Sequence, residues 1–178
     1  DPTPTSCMIW TRLAPKPLDP DGGMGGARVT VPWQVADDEQ FTKIVKQGRA
    51  TAAPELGFSI HIDVTGLEPN RWYFYRFTSG DAMSPVGRLR TTPAVGAIVP
   101  LTFGTVSCNH WEAGFYTAYG HLAKEPQLDL VAHLGDYIYE YGPTTNPNAP
   151  RKHGTTEARN LDLYRTRYAQ YKSDPNFQ

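Results

Sequence analysis

Two short segments carry the residue types that can do chemistry. Ser107-Cys108-Asn109-His110 offers a thiol and an imidazole. Gly135-Asp136-Tyr137-Ile138-Tyr139 offers a carboxylate and, three residues on, a phenol. A carboxylate has two oxygens and can bridge two cations, and a glycine before it lets ions approach the backbone closely. A thiolate is a soft ligand that favours iron or zinc over magnesium. A free phenol titrates near about 10, so at neutral pH only a strongly Lewis-acidic centre such as ferric iron would hold it as phenolate. Cys108, Asp136 and Tyr139 together would suit a ferric site beside a harder, oxygen-liganded ion. Each also has a plain structural reading. A lone cysteine is commonly a core residue, Gly-Asp after a strand is commonly a turn, and Tyr137, Tyr139 and Tyr141 would serve equally as an aromatic cluster over a hydrophobic surface.

The surrounding elements decide whether the two segments meet. Leu101–Val106 reads as a strand, and Leu128–Leu134 as a second, nearly continuous apolar one. Between them Phe115, Ala118, Tyr119, Leu122 and Ala123 recur at helical spacing and predict a helix over 115–124. This β–α–β pattern predicts an α/β domain with two parallel strands. Sites in such sheets form in the loops at the strands' C-terminal ends. Strands side by side lie about 5 Å apart, or about 10 Å with one between, so Cys108 and Asp136 would face one cleft. A Pro/Asn/Thr/Gly-rich loop follows over 141–155. A helix over 156–172 then carries an expected stripe of Leu161, Tyr164, Tyr168 and Tyr171. Two nearly all-apolar strands need covering on both faces, and no further strand is available, so the chain is expected to be a fragment or one part of a multi-chain protein.

The first ninety or so residues have a different period. Val29, Val31, Trp33 and Val35 alternate with Thr30, Pro32, Gln34 and Ala36, and Phe58, Ile60, Ile62 and Val64 alternate in the same way. Each set places its apolar members on one face of a pleated strand. Turn material separates the runs, and further strands fit 6–12, 41–51, 70–78 and 84–91. Short strands at this spacing without a convincing helix predict a sandwich. The stretch Leu67-Glu-Pro-Asn-Arg-Trp-Tyr-Phe-Tyr75 resembles the tyrosine-corner region of fibronectin type III modules, with Tyr73 or Tyr75 bonding back to the backbone upstream. Cys7 then reads as a small strand hydrophobe in a different domain from Cys108, and no disulfide between them is expected.

More specific segments run in order along the chain. Asp1-Pro-Thr-Pro-Thr-Ser-Cys-Met-Ile-Trp-Thr-Arg-Leu13, Ser84-Pro-Val-Gly-Arg88, Ser107-Cys108, Leu128–Gly142, Arg151-Lys-His153 and Leu163–Pro175 resemble the motifs of PhoD-type alkaline phosphatases. The resemblance implies an all-β immunoglobulin/fibronectin III-like sandwich over 1–93 and, over 98–178, an incomplete α/β metallophosphatase-like domain. It implies a site of iron and calcium, with Cys108 and Tyr139 as iron ligands and Asp136 bridging iron and calcium; zinc is the alternative metal. The implied reaction is hydrolysis of phosphate esters, in which metal ions neutralise phosphate oxygens while an activated water attacks phosphorus in line. It also implies export to a secreted or periplasmic location. The family's later Trp-Asp-Asp-His-Glu-like motif and its downstream Asp, Asn and His ligands are absent. About three ligands are too few for a closed dinuclear site, so the expected partner besides a phosphate ester is the remainder of the catalytic domain, in the same chain or another. A phospholipase D-type or nucleotide phosphodiesterase on the same metal core, and a non-enzymatic adhesion or carbohydrate-binding module, are the alternatives.

Among the histidines, His133 is expected to be a hydrogen-bonded structural residue, and His110 is within reach of the cleft. His153 with Arg151 is expected to form salt bridges rather than bind phosphate, and His61 and His121 carry no expected role. The 178 residues bear a net charge of −1, which gives no electrostatic reason for a nucleic acid or an anionic membrane as partner. No run of about 18 apolar residues could span a bilayer. The N-terminus has neither the charged start nor the apolar stretch of a signal peptide, so either a targeting segment was removed or the chain starts internally.

Overall fold

The computed structural model describes residues 2–178. They divide into two compact units, one formed by the stretch through Leu13 with Met24–Pro100, the other by Ala14–Gly23 with Leu101–Gln178. The segment 14–23 thus groups with the second unit rather than with the strands that flank it in sequence.

The first unit contains β1 (Ser6–Arg12), β2 (Val29–Ala36), β3 (Ile44–Ala52), β4 (Ser59–Thr65), β5 (Trp72–Ser79), β6 (Ala82–Met83) and β7 (Gly87–Arg90). β1 pairs with β4, while β3-β2-β5-β6 form a second sheet in which β7 also pairs with β5; every pairing is antiparallel. The period-2 pattern does what a pleat requires. Val31 and Val35 of β2 are fully buried, as are Ile60 and Val64 of β4, and they meet Cys7, Ile9, Tyr73 and Phe77 in one core shared by both sheets. Tyr73, not Tyr75, makes the backward bond: its hydroxyl accepts the Glu68 N–H at 2.9 Å. Both cysteines are free, Cys7 within this core and Cys108 exposed.

Three strands of this unit differ from their expected limits by two residues or more: β5 starts at Trp72 rather than 70, and the other two differences trace to local hydrogen bonding. β3 starts at Ile44 rather than 41, because the Asp38 carboxylate accepts the N–H groups of Thr42 and Lys43 and the Asp38 carbonyl that of Phe41. Those donors are thereby lost to a ladder. The expected strand over 84–91 shortens to β7 at Gly87–Arg90, and β6 lies ahead of it at Ala82–Met83, with a break between the two. There the Ser84 side chain takes the Phe77 N–H and Pro85 has no N–H to give.

The second unit contains β8 (Phe103–Val106), a 3-10 turn at Trp111–Ala113, α1 (Thr117–Leu122), β9 (Leu130–His133) and α2 (Leu161–Lys172). β8 and β9 are direct parallel neighbours, and α1 returns the chain between them. Leu122 of α1 lies over Gly104 of β8 so closely that a Cβ there would sit 3.0 Å from Leu122 Cδ1. The helix is shorter than the expected 115–124: Gly114 breaks the chain before it, Phe115 is exposed, and Tyr116 supplies the buried contact. Phe103, Leu130 and Val131 of the two strands remain exposed.

α2 begins later than expected because Asn160 caps it, its side chain accepting the Leu163 N–H at 2.9 Å. The expected stripe holds at Tyr168, which stacks on Tyr137, and at Tyr171, but not at its start. Leu161 and Tyr164 are exposed, and the face turned inward carries Arg167 and Tyr171. Tyr171 packs against the Trp111 and Tyr116 rings, while Arg167 meets backbone carbonyls of the 139–156 loop, a surface that a guanidinium with five N–H donors suits and leucine would not.

Replacing Tyr73 by phenylalanine should cost about 1 kcal/mol of unfolding free energy, the usual net worth of one such bond. A urea denaturation curve with a lower midpoint and unchanged slope is the expected result.

Candidate active site

The parallel register pairs Phe103 with Leu130 and Val106 with His133. The ladder does not stop where the strands do. Leu134 N–H donates to Val106 O at 2.8 Å, Cys108 N–H to Gly135 O at 3.2 Å, and Asn109 N–H to Asp136 O at 2.9 Å. The two loops are therefore zipped together at their roots. Cys108 Sγ lies 3.5 Å from Asp136 Oδ2, and the Tyr139 hydroxyl donates to that same oxygen at 2.9 Å. All three residues singled out from the sequence thus converge on one exposed point.

Their backbones are held in unusual conformations. Cys108 (φ 59°) and Asp136 (φ 51°) both sit in the left-handed region, and Gly135 precedes Asp136 at φ 125°. For residues with a Cβ this costs roughly 1–3 kcal/mol each, and it persists only where the surroundings over-determine it. The surroundings here are Asn109 and an aromatic layer. Buried Asn109 donates its side-chain amide to Tyr137 O at 3.3 Å, accepts the Tyr119 hydroxyl on Oδ1, and accepts the Tyr116 hydroxyl on its carbonyl at 2.9 Å. Tyr116, Tyr119 and Tyr137 pack with Phe177 and Tyr171 beneath the loops.

The electrostatics follow the contacts. The Tyr139 phenol is pushed well above its ordinary value, chiefly because it donates to the Asp136 carboxylate, with desolvation and the Cys108 thiol adding to the effect. In the metal-free protein a proton sits on this oxygen. A cation of high charge at the same point would reverse the balance, since it would favour phenolate, thiolate and carboxylate together. Sulfur, carboxylate and phenol donors around one point fit a borderline or ferric ion. Among the described residues no three His, Cys, Asp or Glu side chains form a metal-holding group, so the fit rests on Tyr139 as third donor and leaves the shell open.

The histidines take separate places. Nδ1 of His133 accepts the Gly135 N–H at 3.2 Å, and its ring lies between Tyr119 and Tyr137. The His110 ring sits 4.8 Å from that of Tyr139. His153 is buried and its imidazole is lowered by that burial and then by Arg167, which keeps it neutral. Its 3.8 Å approach to Glu112 is therefore not an ion pair at neutral pH. Glu112 accepts the N–H groups of Thr144 and His153 instead, both at 2.9 Å. Arg151 is spent on structure: it pairs with buried Asp174 at 2.6 Å and stacks 3.6 Å over the Trp111 ring. Sequence reasoning missed Asn109, Glu112 and Arg167. Only Asn109, by its place beside Cys108, carried any local signal.

Two outcomes test this geometry. Asp136→Gly and Asp136→Ala lose the same carboxylate, but only glycine is at ease at φ 51°; the glycine variant should be the more stable by about 1 kcal/mol in denaturant unfolding. The second concerns pH. Burial alone would raise the carboxyls of Asp174 and Glu112, but hydrogen bonds outweigh it and hold both below their ordinary values, from Arg151 and the Asn176 N–H for Asp174, and from the Thr144 and His153 N–H groups for Glu112. Groups lowered on folding add stability that is complete above their unfolded values and lost as pH falls through the folded ones. Thermal melts should therefore decline on acidification below about pH 4, and Asp174→Asn should flatten part of that decline.

Known proteins share this arrangement of chain. Residues 1–93 match the PhoD-like phosphatase N-terminal domain, and residues 103–178 match the PhoD-like phosphatase family. Alkaline phosphatase D of Bacillus subtilis (strain 168) is 52% identical over 182 residues, which cover 100% of this chain and 31% of that protein. A solved structure of PhoD superposes with a TM-score of 0.95 at 52% identity, over 99% of this chain and 34% of the other. The chain thus spans about a third of the length of these relatives. With one family domain matched over more than half of its residues and the second matched behind it, the chain belongs to the PhoD-like phosphatase family.

Proposed function

We propose that this chain forms part of a metal-dependent phosphate-ester hydrolase, in which Cys108, Asp136 and Tyr139 hold cations against the substrate. The observation that carries the reading is the convergence of the thiol and the phenol on a single carboxylate oxygen, at 3.5 and 2.9 Å. Cys108 and Tyr139 suit ferric iron, with zinc as the alternative, and the two oxygens of Asp136 suit a bridge to calcium. When bound, such ions neutralise charge on phosphate oxygens and make water a better nucleophile. The protein's own part is to fix the donors beforehand on a strained, zipped pair of loops, so that no donor has to be reoriented when substrate arrives. Loading must displace the thiol and phenol protons, so metal uptake should strengthen as pH rises.

Family membership supports a wider reading. Residues 1–93 act as an immunoglobulin/fibronectin III-like module, a role in keeping with the two sheets around one core and the Tyr73–Glu68 bond. Residues 98–178 act as the first part of an α/β metallophosphatase domain. The remaining ligands come from the rest of that domain, which would also cover exposed Phe103, Leu130 and Val131. The enzyme is exported, secreted or periplasmic, where a metal-bound Cys108 resists oxidation. No helix among the described residues is long and apolar enough to cross a membrane.

In the full-length protein, Cys108→Ser and Asp136→Ala should each lower iron content and cut phosphatase activity by at least the roughly 10–100-fold that follows from disturbing a metal shell. The parent should be visibly coloured by a phenolate-to-iron band. Unchanged activity and iron content in both variants would end the assignment. Parallel assays on p-nitrophenyl phosphate, its bis-ester and phosphatidylcholine separate monoesterase, diesterase and phospholipase.

A further inference from the structure

Both backbone polar groups of Tyr139 are held by side chains of one helix. Its N–H donates to the Tyr171 hydroxyl at 3.1 Å, and its carbonyl accepts from Arg167 Nη1 at 2.6 Å. Arg167 and Tyr171 stand four residues apart on α2, hence one turn apart on the same face, and both are fully buried. The same Nη1 reaches Tyr141 O at 2.7 Å, while Nη2 reaches Thr155 Oγ1 and Thr156 O, each at 3.1 Å. Every hydrogen-bond acceptor of this guanidinium is therefore a carbonyl or hydroxyl of the 139–156 loop. Burying a charge is expensive, and here Glu112 and Glu140 offset that cost only through space, while every direct contact goes to fixing one loop.

We infer that Arg167 and Tyr171 are positioning residues: they clamp the peptide groups on both sides of Tyr139 and so aim its phenol at Asp136 and at the iron of the proposed centre. With the flanking peptide planes fixed, only the two side-chain torsions of Tyr139 remain, and the hydroxyl already meets Asp136 Oδ2 at 2.9 Å. The Tyr171 hydroxyl also accepts the Trp111 N–H at 3.3 Å, which ties the loop after Cys108 to the same anchor. One helix face thus sets the spacing of both ligand loops. The inference rests on the reading of Tyr139 as an iron ligand, and it extends that reading to two residues outside the ligand set.

The test uses the full-length, iron-loaded protein. Tyr171→Phe keeps the ring's packing and deletes the hydroxyl. Iron affinity should fall about tenfold, the phenolate-to-iron band should shift and broaden, and kcat should fall by a larger factor than KM rises. In the iron-free protein the Tyr139 amide should exchange with solvent about tenfold faster, the loss of one buried hydrogen bond. Arg167→Lys keeps the charge but not the forked donors, and the same measurements on it decide the matter if Tyr171→Phe does not fold. A variant that melts earlier yet leaves band, iron affinity and amide exchange at parental values overturns the clamp. Tyr139→Phe separates the two readings. If it abolishes a band that Tyr171→Phe does not move, the clamp alone fails; if the band survives in Tyr139→Phe, the ligand reading fails and the inference with it.

Discussion

The site depends on a parallel pairing that continues beyond its own strands. Antiparallel loops can be brought together by a tight turn, but parallel ones meet only if the ladder carries them there. Here the bonds from Cys108 N–H to Gly135 O and from Asn109 N–H to Asp136 O carry the register of β8 and β9 three residues past the last strand position. A slip of that register would separate thiol and carboxylate by a residue's rise along the strand. The left-handed backbone at both residues is the consequence: each chain must turn sharply at the rim while its neighbour holds it in register.

That strain is offset by a layer that is aromatic and polar at once. Tyr116 and Tyr171 bury their rings like any core residue and Tyr119 is half-buried against them, yet their hydroxyls reach Asn109 O, the amides of Trp111 and Tyr139, and Asn109 Oδ1. Apolar side chains of similar size would fill the space and leave those loop groups unsatisfied. Burial pushes the phenols of Tyr116 and Tyr171 upward, so the hydroxyls stay protonated and keep their bonds over the whole working range. Arg167 extends the same solution to the carbonyls on the far side of the loop.

Membership in the PhoD-like phosphatase family and the three-residue convergence were both within reach of the linear chain, through the ordered motifs and through the Gly-Asp-x-x-Tyr segment after an apolar strand. Strands with strict alternation, such as Val29–Ala36, were legible because the pleat imposes a period of two. Elements bounded by side-chain hydrogen bonds were not. Asp38 delays β3, Ser84 stands at the delayed start of the last strand, and Asn160 delays α2, each taking backbone donors that periodicity takes no account of.

What the sequence determined by itself is therefore local: which segments pleat, which coil, and which residues have donor chemistry at strand ends. Tertiary structure decided which faces of those segments turn inward, and on α2 it kept Tyr171 of the apolar stripe but set Arg167 beside it in place of Leu161 and Tyr164. Exposed Leu161 and buried Arg167 make sense only once the helix is seen to face loop carbonyls as well as aromatic rings. A periodicity argument assumes that the far surface is apolar, and only the folded chain reveals that part of this one is lined with backbone oxygens.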